Sequence, residues 1–270
     1  MKLATVRTGD GTHAARVEGD TLVELEAADV GHLLAGGSHT PTGVEHALAD
    51  ADLAPLVPNP GKIICLGLNY ADHIREMGHE VPAYPTLFAK FSDALIGARD
   101  PIPIPAVSDA VDWEVELAFV IGRTVRRASA EDAAAAIAGF TVANDISMRD
   151  YQYRTIEFLQ GKTFERSTPV GPWLVTPDEL GGARPDLEVR CEVDGLLRQQ
   201  SRTGKLVFDA VDVIRYTSEI VTLRPGDLLL TGTPGGVGQG MDPPVYLRPG
   251  QVVRTSIEGI GELVNPCISG

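Results

Sequence analysis

The segment DWEVELAFVIG, residues 112–122, is an almost unbroken apolar run carrying two carboxylates two residues apart. Read as a strand, it turns Glu114 and Glu116 to one face and Trp113, Val115 and Leu117 to the other, because successive side chains alternate. Like charges side by side on one face repel, and burying them is costly. Either that face is wet or something positive stands between the two carboxylates. Glu-x-Glu on a strand is by itself most often the solvent face of an amphipathic sheet. The adjoining Ala118 and Val120 instead favour a sheet interior.

Composition narrows the function classes. The chain has 270 residues, enough for one large domain or one domain with a small appendage. Its net charge of −14 disfavours nucleic acid and anionic lipid as partners, and requires a local cationic site if the substrate is an anion. No apolar run approaches the length that spans a bilayer, so no membrane partner is expected. The opening residues, MKLATVRTGDG, lack the apolar core of a signal peptide. Cys65, Cys191 and Cys267 lie far apart without Cys-x-x-Cys spacing, which argues against a disulfide framework or zinc ribbon and fits a cytoplasmic protein.

Residues 1–54 read as a small, separate, β-rich N-terminal domain: short alternating strands broken by Gly-Asp-Gly and Glu-Gly-Asp, then a more helical stretch. Pro55, Pro58 and Pro60 before Gly61 form a stiff connector, and the main domain is expected over 60–270. There, strand-like runs dominate: IICLGL, TLFAKF, VELAFVIG, FTVAND, DLEVRCEV, DLLLTG and QVVRTSI. Helices are fewer. Ser129 and Asp132 make a capping-box signal before an Ala-rich helix that Gly139 should end. Ser147 and Asp150 repeat that signal at the head of SMRDYQYRTIEFLQ. VFDAVDVIRYTSEIV sets Val207, Val211, Ile214 and Val221 near one helical face. Strands interleaved irregularly with a few helices indicate a β-rich α+β fold.

Asp145 closes the apolar run GFTVAND, so a strand delivers a third carboxylate to its carboxyl end. With Glu114 and Glu116 it makes an oxygen-rich candidate site for Mg²⁺ or Mn²⁺. Zinc is the weaker choice, since no histidines are paired at zinc spacing. In LGLNYADHIREMG, residues 66–78, a short helix is expected, capped by Asn69 or Asp72 and stopped by Gly78. It would put His73 and Glu76 on one face, as a base pair able to activate water or as a plain surface ion pair. Lys90, Arg149 and Lys162 flank these segments and could hold an anionic substrate, although each alone reads as a solvated charge. Thr233 sits in the glycine-rich turn TGTPGGVG, residues 231–238, which can bring backbone close to a ligand. No G-x-S-x-G elbow is present, which removes the serine-hydrolase reading.

In order along the chain, LGLNYADHIREMG, TLFAKFSDALIG, DWEVELAFVIG, ANDISMRDYQ, GKTFERSTPVGPWLVT, PGDLLLTGTPGGVG, PPVYLRPGQVV and IEGIGEL resemble the fumarylacetoacetate hydrolase family, in its acylpyruvase-like and heptadiene-dioate isomerase-like branch. The resemblance covers about residue 60 to the C-terminus. It implies a mixed β-sandwich or roll, a homodimer, and one Mg²⁺ or Mn²⁺ per chain held by Glu114, Glu116 and Asp145. It assigns His73, Glu76 and Lys162 to catalysis, and Arg149, Gln152 and Thr233, with Lys90 beside them, to substrate binding. Phe91, Asp93, Glu165 and Arg166 depart from the family pattern and are expected to line the pocket. The implied reaction is hydrolysis of an acylpyruvate-type β-diketo acid to release pyruvate. Oxaloacetate decarboxylation or 2-hydroxy-dienoate isomerisation at the same site is the alternative, and a non-catalytic binder of metal and 2-oxo acid the lesser one.

Overall fold

The computed structural model describes residues 1–71, 74 and 80–270. Strand Val115–Ile121 lies in the middle of an eleven-stranded mixed sheet, and all seven of its residues are buried. It pairs antiparallel with Ile137–Asn144 on one side and with Leu228–Leu230 on the other. Leu228–Leu230 runs parallel to Ile63–Gly67, which is bordered by Thr86–Lys90. A second, five-stranded sheet includes Glu188–Val193, Leu196–Arg202, Val252–Ile257 and Gly261–Ser269. It packs across the large sheet to give a β-rich α+β sandwich.

Strand parity explains the layers. Trp113, Val115, Leu117, Phe119 and Ile121 point into the core that the two sheets share, together with Val189, Cys191, Val253 and Leu263. Ala118 and Val120 point the other way, into a second core built with Leu25, Val30, Leu33, Leu56 and Leu174. A strand covered on both faces has no solvent side, which is why its sequence reads as a continuous apolar run. Glu114 and Glu116 belong to the face of the second core, at the strand's entrance.

The first four strands continue the same large sheet. Lys2–Thr8 pairs with Thr168–Val175 through Lys2↔Val175 and Leu3↔Leu174. Pro41–Ala47 forms the far edge, where the sequence suggested more helix. The only helix among described residues of that region is Val30–Leu34, capped by Asp29.

Several local expectations change. Helix Ala130–Ala136 is capped by Ser129 as anticipated, but it ends at Ile137, and Gly139 lies inside the following strand. Its lack of a side chain serves packing: a Cβ there would stand 2.4 Å from Leu174 Cδ2 and 2.5 Å from the Val175 carbonyl. Ser147 caps no helix. It sits in the two-residue strand Ser147–Met148, its hydroxyl donating to the Asp145 carbonyl at 2.8 Å. The expected long helix is two short ones, Arg149–Gln152 and Leu159–Lys162. Helix Ala210–Ile220 forms with Asp209 as its cap, leaving Val207 outside.

Candidate active site

Register brings the three carboxylates together. Val115 pairs with Asn144, so Asp145 emerges beside Glu114, and the Asp145 amide donates to the Glu114 carbonyl at 2.9 Å. Asn144 fixes the corner, its Oδ1 accepting from the Glu114 amide at 2.9 Å and its Nδ2 donating to Thr255 Oγ1 at 2.8 Å. One oxygen from each of Glu114, Glu116 and Asp145 lies within 4.8 Å of the others, the one such cluster among the described residues.

The face is dry, and positive charge meets two of the three carboxylates, Glu114 and Asp145. Lys162 Nζ donates to Glu114 Oε2 at 2.7 Å and to Asp145 Oδ2 at 2.8 Å. Lys90 donates to Asp145 Oδ1, and Arg149 Nη1 lies 2.7 Å from Glu114 Oε1. Burial alone would push the Lys162 ammonium down, but Asp145 and Glu114 outweigh it and hold the group charged. Burial likewise opposes ionisation of Asp145, and Lys162 and Lys90 reverse the balance, leaving its carboxyl below the usual range.

Glu116 is the member left over. Its Oε2 accepts from the Gly232 amide at 2.7 Å, but its Oε1 is buried with no partner. Burial first, then Asp145 and Glu114, push its carboxyl well above the ordinary value. An unpartnered buried carboxylate oxygen costs about 1–3 kcal/mol or more. A cation shared by the three carboxylates would remove that cost, and an all-oxygen donor set suits a hard divalent ion. The residues therefore fit a metal of the Mg²⁺ or Mn²⁺ class.

Two short helices place the cations. Gly161 lets helix Leu159–Lys162 close on Arg149–Gln152, since a Cβ at 161 would stand 2.6 Å from Gln152 N and from the Met148 carbonyl. Lys162, Arg149 and Gln152 thus reach one cavity of about 350 Å³, with Glu114 and Thr233 also on its wall. Leu66, Leu68, Phe88, Tyr153 and Phe158 form its apolar side. Leu68 adopts φ 55°, a conformation that costs a residue with a Cβ about 1–2 kcal/mol, on the wall of this cavity.

The other anticipated residues fall as follows. Lys90 is buried behind Asp145 and does not border the cavity. Phe91, Asp93, Glu165 and Arg166 are exposed and are absent from its lining, which corrects the expectation that they shape it. The Asn69 side chain bonds the backbone of Phe208 and Thr231, and its expected capping role lies outside the described residues. His73 and Glu76, with Asp72 and Gly78, lie outside the described residues.

Two buried residues escaped the sequence reading. Asp112 accepts from the amides of Trp113, Gly238 and Gln239 and from Arg149 Nε, all at 2.7–3.0 Å. It thereby ties the glycine-rich loop to the arginine. Gln199, from the second sheet, bonds Val115 N and Thr233 Oγ1.

The chain has known relatives. The fumarylacetoacetate (FAA) hydrolase C-terminal family matches residues 62–268, and the Rv2993c-like N-terminal family matches residues 1–55. The chain belongs to the fumarylacetoacetate hydrolase family. A mitochondrial oxaloacetate tautomerase of Xenopus laevis is 45% identical over 228 residues, 83% of this chain and 71% of that protein. A solved 5-carboxymethyl-2-hydroxymuconate delta-isomerase from Mycobacterium smegmatis is 36% identical, with TM-score 0.85 over the whole of both chains. A fumarylacetoacetate hydrolase from Exiguobacterium antarcticum is 33% identical, with TM-score 0.90 over the whole of both chains. Members of the fumarylacetoacetate hydrolase family thus share this architecture while carrying names for different reactions.

Proposed function

We propose that this family member is a metal-dependent tautomerase of small 2-oxo acids, with oxaloacetate as the first substrate to test. The carrying observation is the charge arrangement: three convergent carboxylates, one with an unpartnered oxygen, of which Glu114 shares the wall of one small cavity with Lys162 and Arg149. A divalent ion held by Glu114, Glu116 and Asp145 would supply Lewis-acid stabilisation of negative charge on the substrate oxygens. Lys162, kept charged, adds a fixed cation that attracts a carboxylate and favours an enolate over the keto form. Arg149 and Gln152, bonded to each other at 2.9 Å, present polar groups for the remainder of an acidic substrate. Thr233 adds a hydroxyl to the same cavity lining. His73 and Glu76 are the proposed proton-transfer pair.

Tautomerisation takes a proton from C3 and returns one to the oxygen on C2, with no fragment lost. The tautomerase and isomerase names of the relatives describe proton shifts of this kind and support this reading over acylpyruvate hydrolysis, the first reading of the sequence. Hydrolysis needs the same enolate and, in addition, a water directed at a distal carbonyl. It stands second, with decarboxylation, because both would use the same charges.

The test is to follow decay of the enol form of oxaloacetate by absorbance with Mg²⁺ or Mn²⁺ present, measuring pyruvate in parallel. Accelerated enol–keto exchange without matching pyruvate is expected. Pyruvate release from acylpyruvates with no effect on that exchange would overturn the tautomerase reading in favour of hydrolysis.

A further inference from the structure

Gln199 lies on strand Leu196–Arg202 of the second sheet, is 1% exposed, and does not border the cavity. Its Oε1 accepts from the Val115 amide at 2.9 Å, and its Nε2 donates to Thr233 Oγ1 at 2.8 Å and to the Pro234 carbonyl at 2.9 Å. The amide can stand only one way round. A backbone N–H can only donate and a carbonyl can only accept, so the oxygen faces Val115 and the nitrogen faces Pro234. Every polar atom of the side chain is thereby committed.

The consequence falls on Thr233. Its oxygen already accepts a hydrogen bond from Gln199, so its own proton must point elsewhere. Among the described residues that hydroxyl proton has no acceptor, and Thr233 lines the cavity. We propose that Gln199 is a positioning residue that fixes the Thr233 hydroxyl as a hydrogen-bond donor toward an anionic substrate. By bonding the amide between Glu114 and Glu116, the same side chain also sets the distance from that hydroxyl to the carboxylates. The selected ligand carries an acceptor-only group, a carboxylate or enolate oxygen, at the Thr233 wall. This rests on the 2-oxo-acid reading for the substrate's identity but not for its own measurement.

Gln199→Glu keeps an acceptor for Val115, gives up the donation to the Pro234 carbonyl, and turns the Thr233 hydroxyl away from the cavity, to donate to the new carboxylate. Calorimetry with oxalate in the presence of Mn²⁺ is expected to show affinity about tenfold weaker, the size of one lost hydrogen bond to a charged group. KM for oxaloacetate should rise with it while kcat changes less. In a Thr233→Val background, Gln199→Glu should weaken oxalate no further. Oxalate affinity within twofold of wild type in Gln199→Glu, or an equal added loss in the Thr233→Val background, overturns the proposal. If Gln199→Glu does not fold, Thr233→Ser against Thr233→Val decides: near-wild-type oxalate binding only in the serine variant supports the donor role, and equal binding in both refutes it. A protein inactive on oxaloacetate that still shows this coupling would refute the tautomerase reading alone.

Discussion

At the scale of single residues, the centre of the site is an imbalance. Asp112, Glu114, Glu116 and Asp145 face Lys90, Arg149 and Lys162, and the uncompensated carboxylate is Glu116. Glu116→Ala is therefore expected to abolish stoichiometric Mn²⁺ binding in calorimetry and to reduce turnover to background. Arg149 has a different role, set by shape. Its Nε reaches Asp112 and its Nη1 reaches both Glu114 and Gln152, a fork that an ammonium cannot reproduce. Arg149→Lys should lower kcat/KM by about tenfold to a hundredfold, as expected for one or more lost charged hydrogen bonds, measured by the enol-decay assay. The carboxylate triad was legible because strand parity puts i and i+2 on one face and an apolar run ending in Asp145 brings in the third. Asp112 and Gln199 were not legible. Nothing in local spacing links residue 112 to 149 and 238, or 199 to 115 and 233, since sheet packing alone makes those neighbours.

At the scale of elements, sequence patterns succeeded where one rule governed and failed where two competed. The strands at 63–67, 86–90, 115–121 and 252–257 coincide with uninterrupted strand-like runs. Thr168–Val175 was missed because Pro169, Gly171 and Pro172 argue against a central strand. A bulge between Phe140 and Val142 lets the neighbouring strand pass these residues. Ser147 and Asp150 have capping-box spacing, but pairing of Ser147 with Asp112 takes that backbone into a strand instead. The close contact of the two short helices gives a direct test. Gly161→Ala would force them apart, and overpacking of this kind costs about 1–3 kcal/mol. The expected result is a lower melting temperature together with weaker oxalate binding, as Lys162 moves with its helix.

At the scale of the whole molecule, the N-terminal strands and the body share one sheet and one core. Leu3, Leu25 and Leu33 pack in the same cluster as Val120, Leu174 and Leu230. The division of the chain at the proline-rich connector is kept as a proposal about its building blocks, while stability is expected to be common to both. Calorimetric unfolding should show one cooperative transition. Leu174→Ala, on the strand that joins the two parts, should lower its stability by about 2–5 kcal/mol without splitting it. Two separate transitions would show that the parts unfold independently. No helix among the described residues is long and apolar enough to cross a membrane. A homodimer, suggested by the family resemblance, remains a proposal that size measurement in solution would check.

The loop that carries Gly238 and Gln239 is fastened to the same carboxylate that holds Arg149. Asp112 works like a rivet through three stretches of chain, its own strand, the glycine-rich loop and the start of the arginine's helix. An incoming molecule at this corner meets a cation that holds its bearing, and discrimination there is a question of where the visitor's own charge falls.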